Sequence, residues 1–568
     1  MSHSARAESA RPPEVLCRIL QLAVGPNSGV KELLPLTHIN KQWRSAALGD
    51  PSLWTTIYLR VTAPRLLDMA LGYAGNQLLT VHIDHRDLGR FEKLRTHVDR
   101  IEELRYTIGP RYMSSFLSSL GPAPNLKVLR LQPSLAIGIW DRTPSVDLPV
   151  IFSGCLPSLR DLSLPNGVTW PVGLFKGLTS FECGVFRHDP IPPLLVLDLL
   201  RGSPSIEFIG LSGFCTIPPG FQPPAIPLPS LKKCILAGTG TTSLIRFMII
   251  PATAHVSLTA PETDEEAKFE DFSAAPGLHV LRDVSTVSFI THYDGVELQA
   301  KNINGGTFEA AVASDDPTVL TLLLRSVLEY TQSCPGFKTT KVLKLSFGLA
   351  ETGRFNLDVV GCIRSLPEVE EIHLSGLQRQ ELGSVLLFLG NDLNSKDAPP
   401  HVKKLHIGST PLRSPRRQLL LLDELLTKRE KRGLPFHSVS MVVECEMLIP
   451  AADHCAFLES WEHLVEGEVR LRYWKSSVER SRRSRRRRNS EDEYDDEWDS
   501  GEEDCEYQDE NSDDEGGDGE AGCVGWDGWP QEWPQTVKEM RRGPLEFPLN
   551  ASRTPSLDQL LKDLYQRR

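Results

Sequence analysis

A short apolar phrase bounded by proline or glycine returns repeatedly between Thr55 and Trp474. Its common form is L-x-x-L-x-L, in which the last two apolar residues flank a polar one. This alternation places both apolar side chains on one face of a β-strand. Clear copies occupy residues 124–131, 157–164, 204–211, 229–236, 367–374 and 401–407.

The spacing of these phrases is irregular. Leu178 and either Val256 or Val287 divide the longer gaps, and the intervals scatter about the ~20–29 residues of a leucine-rich repeat, often exceeding them. Helical patterns lie between phrases, at 194–201, 320–331 and 417–431. We therefore predict an α/β fold in which residues 56–475 form an irregular, parallel-stranded, leucine-rich-repeat-like solenoid. An ordinary α/β domain is the alternative, because alternating strands and helices give the same coarse pattern.

A helical pattern occupies the chain before these phrases. Pro12 and Pro13 suit a first helical turn, and apolar residues follow at the spacing of one helical face, at Val15, Leu16, Ile19, Leu20 and Ala23. A break precedes a short helical piece at 30–34. We predict that Pro35 starts a third helix with one apolar face, formed by Leu36, Ile39, Trp43, Ala46 and Ala47. A helical hairpin that merely buries its own apolar face is the alternative interpretation.

Three pieces of this region resemble the F-box, in the F-box-like form of fungal proteins. Residues 11–16 read RPPEVL where the family has LPPEIL, residues 36–44 read LTHINKQWR where it has LxxVCxxWR, and residues 51–54 read PSLW where it has PxLW. Arg11 and Asn40 depart from the pattern, since the family usually has Leu and Cys there. We assign residues 11–55 to an F-box-like helical module on this resemblance.

The resemblance implies a substrate-recognition subunit of a ubiquitin ligase. The module would dock a Skp-type adaptor, and through it a cullin, by Pro12, Leu16, Ile19, Leu36, Ile39 and Trp43. The solenoid would bind a protein substrate. Such a receptor does no chemistry, so we expect a protein that is not an enzyme and needs no cofactor. The alternative is a non-catalytic interaction scaffold with a degenerate F-box and no ligase role.

Candidate chemistry is sparse. The glycine-rich run at 238–243 has Ser243 at its third glycine position and no P-loop lysine, which favours a plain turn over a dinucleotide loop. His82 and His85 lie three apart on a predicted strand and therefore face opposite sides, so we expect no metal site. The 11 dispersed cysteines indicate reduced, mostly buried thiols. An enzyme with a dispersed catalytic site is a further alternative.

Charge is concentrated near the end of the chain. Residues 480–520 hold seven arginines and 18 acidic residues, so the rest is nearly neutral although the whole chain carries a net charge of -12. A nearly neutral remainder argues against nucleic-acid binding. We predict disorder for the Arg-rich and then acidic segment 476–525. Within it lie a candidate nuclear-import signal and two candidate phosphorylation sites, Arg485, Arg486, Arg487 and Arg488, and Ser490 and Ser500. A solvated linker is the alternative.

The two ends of the chain complete the predicted organisation. Residues 1–10 are expected to be flexible, and no apolar run approaches the ~18 residues of a membrane helix. We expect an intracellular protein that does not bind membranes, in the cytoplasm or, through the arginine cluster, in the nucleus. Residues 526–568 form a tryptophan-rich tail with a short amphipathic helix pattern, which either binds a partner or caps the last repeat.

Overall fold

The computed structural model describes residues 12–24, 29–84, 88–108, 116–133, 146–165, 167–184, 192–218, 220–238, 240–260, 277–292, 295–313, 335–347, 359–377, 379–390, 401–411, 415–445 and 451–475. The chain divides into two units, Met1–Ser476 and Ser477–Arg568, and every described residue belongs to the first. The predicted helix at 320–331, the arginines Arg485 to Arg488, the serines Ser490 and Ser500 and the tryptophan-rich tail lie outside the described residues. Across the described ranges, no helix is both long enough and apolar enough to cross a membrane.

Three helices and a 3₁₀ turn form the N-terminal helical module, at Pro13–Val24 (α1), Val30–Thr37 (α2), Lys41–Gly49 (α3) and Pro51–Trp54. The predicted helix start at Pro35 is wrong, because Pro35 lies inside α2 and the chain turns before α3. Asn40 sets the start of α3, since its side-chain oxygen accepts a hydrogen bond from the Trp43 backbone N–H at 2.9 Å. Asparagine is among the preferred N-cap residues for this reason.

Further helices lie at Pro64–Ala74 (α4), Leu88–Phe91 (α5), Pro193–Arg201 (α6), Val359–Arg364 (α7), Arg379–Leu389 (α8), Pro415–Lys431 (α9) and Ala451–Glu462 (α10). Short 3₁₀ segments lie at Arg95–Arg100, Ile151–Gly154, Thr242–Phe247, His279–Leu281 and Pro335–Phe337. The helices predicted at 194–201 and 417–431 are confirmed as α6 and α9.

The strands are Thr56–Tyr58 (β1), Leu79–Asp84 (β2), Ile101–Ile108 (β3), Val128–Pro133 (β4), Val146–Asp147 (β5), Asp161–Leu164 (β6), Val168–Thr169 (β7), Ser180–Cys183 (β8), Phe208–Ser212 (β9), Ile226–Pro227 (β10), Lys233–Ala237 (β11), Met248–Ile249 (β12), His255–Ala260 (β13), Val284–His292 (β14), Gly295–Asn302 (β15), Thr307–Ala313 (β16), Val342–Phe347 (β17), Glu371–Ser375 (β18), Lys404–Pro411 (β19), Phe436–Cys445 (β20) and Val465–Lys475 (β21). The six apolar phrases are confirmed as strands, at β4, β6, β9, β11, β18 and β19.

Seventeen of these strands form one sheet. Neighbouring strands pair in the order β1, β2, β3, β4, β6, β8, β9, β11, β13, β16, β15, β14, β17, β18, β19, β20 and β21. The pairs are parallel except where β15 meets β14 and β16. The predicted α/β class is confirmed, with a large and mostly parallel sheet.

The antiparallel strand β15 interrupts the order of the sheet. The chain leaves β13, forms β14 three positions away in the sheet, and returns through β15 to β16, which pairs with β13. Asn302 fixes the turn that closes this meander, because its buried amide donates to the carbonyls of Ala252 and Val280 at 2.7 and 3.0 Å. Its side-chain oxygen accepts from the backbone N–H groups of Asn304 and Gly306, both at 3.0 Å.

The register of the sheet aligns the second apolar residue of each L-x-x-L-x-L phrase with its neighbours on the adjacent strands. One row of apolar residues crosses all the strands of the large sheet, and it consists of Ile57, Val81, Leu104, Leu129, Leu162, Phe181, Ile209, Cys234, Val256, Phe308, Ala300, Val287, Leu343, Ile372, Leu405, Val439 and Val469. Apolar residues of α4, α6, α8 and α9 belong to the same core, among them Leu67, Val196, Val385 and Leu422. Burial of this apolar area is the main term that stabilises the fold.

Candidate protein-interaction site

The helical module is joined to the sheet through one continuous core. Leu16, Leu20 and Leu33 are buried in it together with Trp54, which follows α3. The Trp54 indole N–H donates a hydrogen bond to the Ala47 carbonyl at 2.7 Å. This bond connects the C-terminal end of the module to α3. The Trp54 ring lies 4.9 Å from the ring of Tyr73 on α4, which links it to the next element of the chain.

The six residues predicted for adaptor docking occupy different environments. Leu16 is only 1% exposed and packs inside the module, so its side chain is not available to a partner in this conformation. The others retain exposed surface: Pro12 and Ile39 are exposed, while Ile19, Leu36 and Trp43 are half-buried. Leu36 and Ile39 lie at the end of α2 and in the following turn rather than on the helix that carries Trp43.

Two further apolar residues of the module are exposed and were not among the predicted site residues. Val15 is 45% exposed and Leu22 is 68% exposed. With Ile19 between them they recur at steps of four and three residues, which is the spacing of a single stripe along a helix. The sequence contains this second stripe of α1, but the prediction merged it with the buried stripe formed by Leu16 and Leu20.

Asn40→Ala is expected to lower the free energy of unfolding by about 1 kcal/mol, because it removes the side-chain acceptor of the first α3 N–H groups. Urea unfolding of the full chain measures this loss. His38→Ala, which alters an exposed residue in the same turn, is the matched control with an expected change within about 0.5 kcal/mol. Equal losses in the two variants would contradict the capping role of Asn40.

A second surface lies on the other face of the sheet. A neighbour of each member of the apolar row points away from the core, namely the next residue on every strand except the antiparallel β15, where it is the preceding residue. We call this set the strand-face row. It consists of Tyr58, His82, Arg105, Arg130, Ser163, Glu182, Gly210, Ile235, Ser257, Glu309, Gln299, Ser288, Lys344, His373, His406, Ser440 and Arg470. Most of these side chains are polar and half-buried or exposed, so this face offers specific hydrogen-bonding and charged groups.

Aromatic and basic groups mark the first strands of this row. The His82 ring stacks on Tyr58 with centroids 4.0 Å apart. Burial, together with the positive charges of Arg105 and Arg130, lowers the pKa of His82 to about 3, so this imidazole is neutral at physiological pH. Arg105 pairs with Glu103 at 2.5 Å. The charges here are already paired within the sheet, which favours shape and hydrogen bonding over net charge as the basis of recognition.

A carboxylate at the centre of the row, that of Glu309, is influenced by the charge of a second carboxylate, Glu297 on β15. Glu309 on β16 faces Gln299 on β15, and the Gln299 amide donates to Glu297 Oε1 at 2.6 Å. Burial is the main cause that raises the pKa of Glu309 to about 7, the negative charge of Glu297 adds to it, and Lys233 opposes it. Glu309 is therefore partly protonated near neutral pH and can donate as well as accept a hydrogen bond.

The cysteine thiols and the glycine-rich run hold structural positions. Burial raises the pKa of the thiols of Cys183, Cys215 and Cys234 to about 12, so they are not nucleophilic near neutral pH. Gly238 follows β11 with φ +105°, and a Cβ there would lie 2.2 Å from the Gly213 carbonyl oxygen. The strand ends pack backbone against backbone here. This close packing requires glycine at position 238, so no bound nucleotide is needed to explain it.

No family model and no curated protein matches this chain.

Proposed function

We propose that this chain is the substrate-recognition subunit of a Skp-cullin-F-box ubiquitin ligase. In this proposal α1 to α3 are an F-box-like module that docks a Skp-type adaptor. The sheet and its helices are a divergent leucine-rich-repeat-like solenoid, and the strand-face row binds the protein target. The chain performs no chemistry itself, because holding a target lysine near the ubiquitin-charged enzyme supplies the effective concentration that the transfer needs.

The observation that carries this proposal is the exposed apolar surface of the helical module. Val15 and Leu22 on α1 are 45 and 68% exposed, and Ile39 in the turn after α2 is 54% exposed, whereas Leu16 and Leu20 on the other side of α1 are buried. Covering each such side chain stabilises a complex by about 1.5–3 kcal/mol at most. A partner that covers this surface is thus favoured, and the resemblance of residues 11–54 to the F-box supports a Skp-type adaptor as that partner.

The sheet supports the second half of the proposal. Strands that pair in chain order present one residue each to the same row, so side chains far apart in sequence form one extended surface. Repeat proteins use such surfaces to bind other proteins. The row carries hydrogen-bonding groups along its length, which suits selection of one protein target.

Leu22→Asp combined with Ile39→Asp is expected to weaken adaptor binding at least tenfold, equivalent to about 1.4 kcal/mol. The reason is that each substitution places a charge where an apolar side chain would be covered. Binding of purified Skp-type adaptor to the full chain is measured by isothermal titration calorimetry.

The matched control is Leu194→Asp combined with Leu387→Asp, which changes two leucines of α6 and α8 that are 56 and 53% exposed. This control should bind the adaptor like the unaltered chain. Equal affinity of the two double variants would overturn the proposed docking surface.

A non-catalytic interaction scaffold with a degenerate module is the second candidate. The burial of Leu16, together with the half-buried state of Leu36 and Trp43, favours it, because fewer of the predicted docking residues are free to meet an adaptor. If the chain is such a scaffold, the unaltered chain binds no adaptor. The calorimetric titration with the Skp-type adaptor therefore distinguishes the two functions.

A further inference from the structure

Two histidines and a glutamate lie together on adjacent strands of the sheet. Glu371 and His373 are two residues apart on β18, so both side chains project from the same face. His406 on β19 is the direct neighbour of His373 across the parallel pair. We call these three residues the His–Glu cluster. It lies in the part of the strand-face row that β17 to β21 form.

The three side chains bring nitrogen and oxygen donors within coordination range of one point. Nε2 of His373 lies 2.6 Å from Oε1 of Glu371, and Nε2 of His406 lies 3.9 Å from the same oxygen. One donor atom from each residue lies within 4.8 Å of the others. Bonds of about 2.0–2.1 Å in a tetrahedral zinc site set donor atoms roughly 3.3 Å apart. The separations of 2.6 and 3.9 Å lie on either side of that value.

Contacts around the cluster hold its members in orientation. Nδ1 of His406 lies 2.7 Å from the Ser440 hydroxyl, which leaves Nε2 for a cation. The two imidazole rings stack with centroids 4.3 Å apart. Lys404 pairs with the second carboxylate oxygen, Oε2 of Glu371, at 3.3 Å, so Oε1 remains the atom that faces both histidines. Outer contacts of this kind fix the tautomer and the direction of metal ligands.

We propose that Glu371 Oε1, His373 Nε2 and His406 Nε2 bind a divalent cation of the zinc type. Two imidazoles and one carboxylate are a donor set typical of zinc. Magnesium and calcium instead take oxygen ligands. The side chains of Glu371, His373 and His406 are 24, 35 and 29% exposed, so a cation can enter from solvent. Three protein ligands would leave a fourth position of a tetrahedral zinc ion for water or for a donor group of a bound protein.

This site departs from the expectation that the chain holds no metal. His82 and His85 are only three residues apart in the sequence, and His85 lies outside the described residues, whereas His373 and His406 are 33 residues apart. Only the register of β18 against β19 places them side by side. The cation site is independent of adaptor binding, because its residues belong to the last strands of the sheet.

Zinc titration of the metal-stripped full chain against a chromophoric chelator tests the proposal. We expect the unaltered chain to bind one more equivalent of zinc than His373→Gln and His406→Gln, or to bind that equivalent at least tenfold more tightly. Glu371→Gln, which keeps the shape of the side chain, should show the same loss. Circular dichroism establishes that each variant is folded.

The matched control is His255→Gln, which alters a histidine that faces the same side of the sheet on β13 and contacts Thr307 Oγ1 at 2.6 Å. It should retain the zinc equivalent. Cobalt gives a second readout, because Co²⁺ bound by two imidazoles and a carboxylate acquires visible absorption bands that the cluster variants should lose. Equal zinc stoichiometry and affinity in the unaltered chain and in all three cluster variants would overturn the site.

Discussion

Trp54→Ala is expected to lower the free energy of unfolding by about 3–5 kcal/mol, the loss typical of a large side chain removed from a core. Trp54 is fully buried. Its ring packs 4.9 Å from Tyr73, and its indole N–H donates to the Ala47 carbonyl at 2.7 Å. The substitution therefore opens a cavity and leaves a buried carbonyl without its donor, both at the junction of the helical module and α4.

Urea unfolding of the full chain measures this loss. Trp54→Phe keeps an aromatic ring but removes the N–H donor. We therefore expect its free energy of unfolding to lie between that of the unaltered chain and that of Trp54→Ala. Leu194→Ala alters a residue that is 56% exposed, and its expected effect is within about 0.5 kcal/mol. A loss below about 1 kcal/mol in Trp54→Ala would mean that the module is not anchored through this residue.

Glu309→Gln is expected to stabilise the fold above pH 7 and to flatten its pH dependence. The pKa of Glu309 is raised from the ordinary 4.5 to about 7, chiefly by burial and then by Glu297. Between these two values the folded chain holds a proton that the unfolded chain releases. The free energy of unfolding is therefore highest below about pH 4.5, falls as the pH rises to about 7, and is level above it with respect to this group.

The size of that fall is at most about 3 kcal/mol, because each pKa unit corresponds to about 1.4 kcal/mol and solvent screens the charge of this half-buried carboxyl. Unfolding by urea at several pH values between 5 and 8, roughly the range over which the group titrates, gives the difference between the unaltered chain and Glu309→Gln. Other titrating groups are common to both proteins and cancel in this difference.

The control for this series is Glu182→Gln, which changes a carboxylate of the same row on β8. The pH dependence should persist in that control. Parallel pH profiles for Glu309→Gln and the unaltered chain would contradict the assignment of the slope to Glu309.

The strands were predictable because their signal is local. In Leu129-Arg130-Leu131, for example, the two leucines must share a face and are buried, while the arginine between them lies in the strand-face row. Helix α6 was equally clear, since its proline start and its run of leucines lie within nine residues. The apolar–polar alternation of a strand and the apolar spacing of a helix can each be recognised within a few residues. Irregular spacing between the elements therefore does not obscure them.

The remaining features depend on contacts between distant residues. Pro35 suggested a helix start, but the Asn40 cap outweighs it and α3 begins later. The reversal of β14 to β16 depends on Asn302, which reaches carbonyls 22 and 50 residues away. The pairing of Glu309 with Gln299 and that of His373 with His406 follow from strand register, which no short window of sequence contains.

Hydrogen exchange of the full chain, with and without a purified Skp-type adaptor, tests the central proposal most directly. We predict that the adaptor slows exchange in α1, α2 and α3, at Pro13–Val24, Val30–Thr37 and Lys41–Gly49, and leaves β17 to β21 unchanged. This result would place the adaptor on the helical module and leave the strand-face row free for a target. Unchanged exchange in α1 to α3, or protection confined to the strands, would contradict the proposed function.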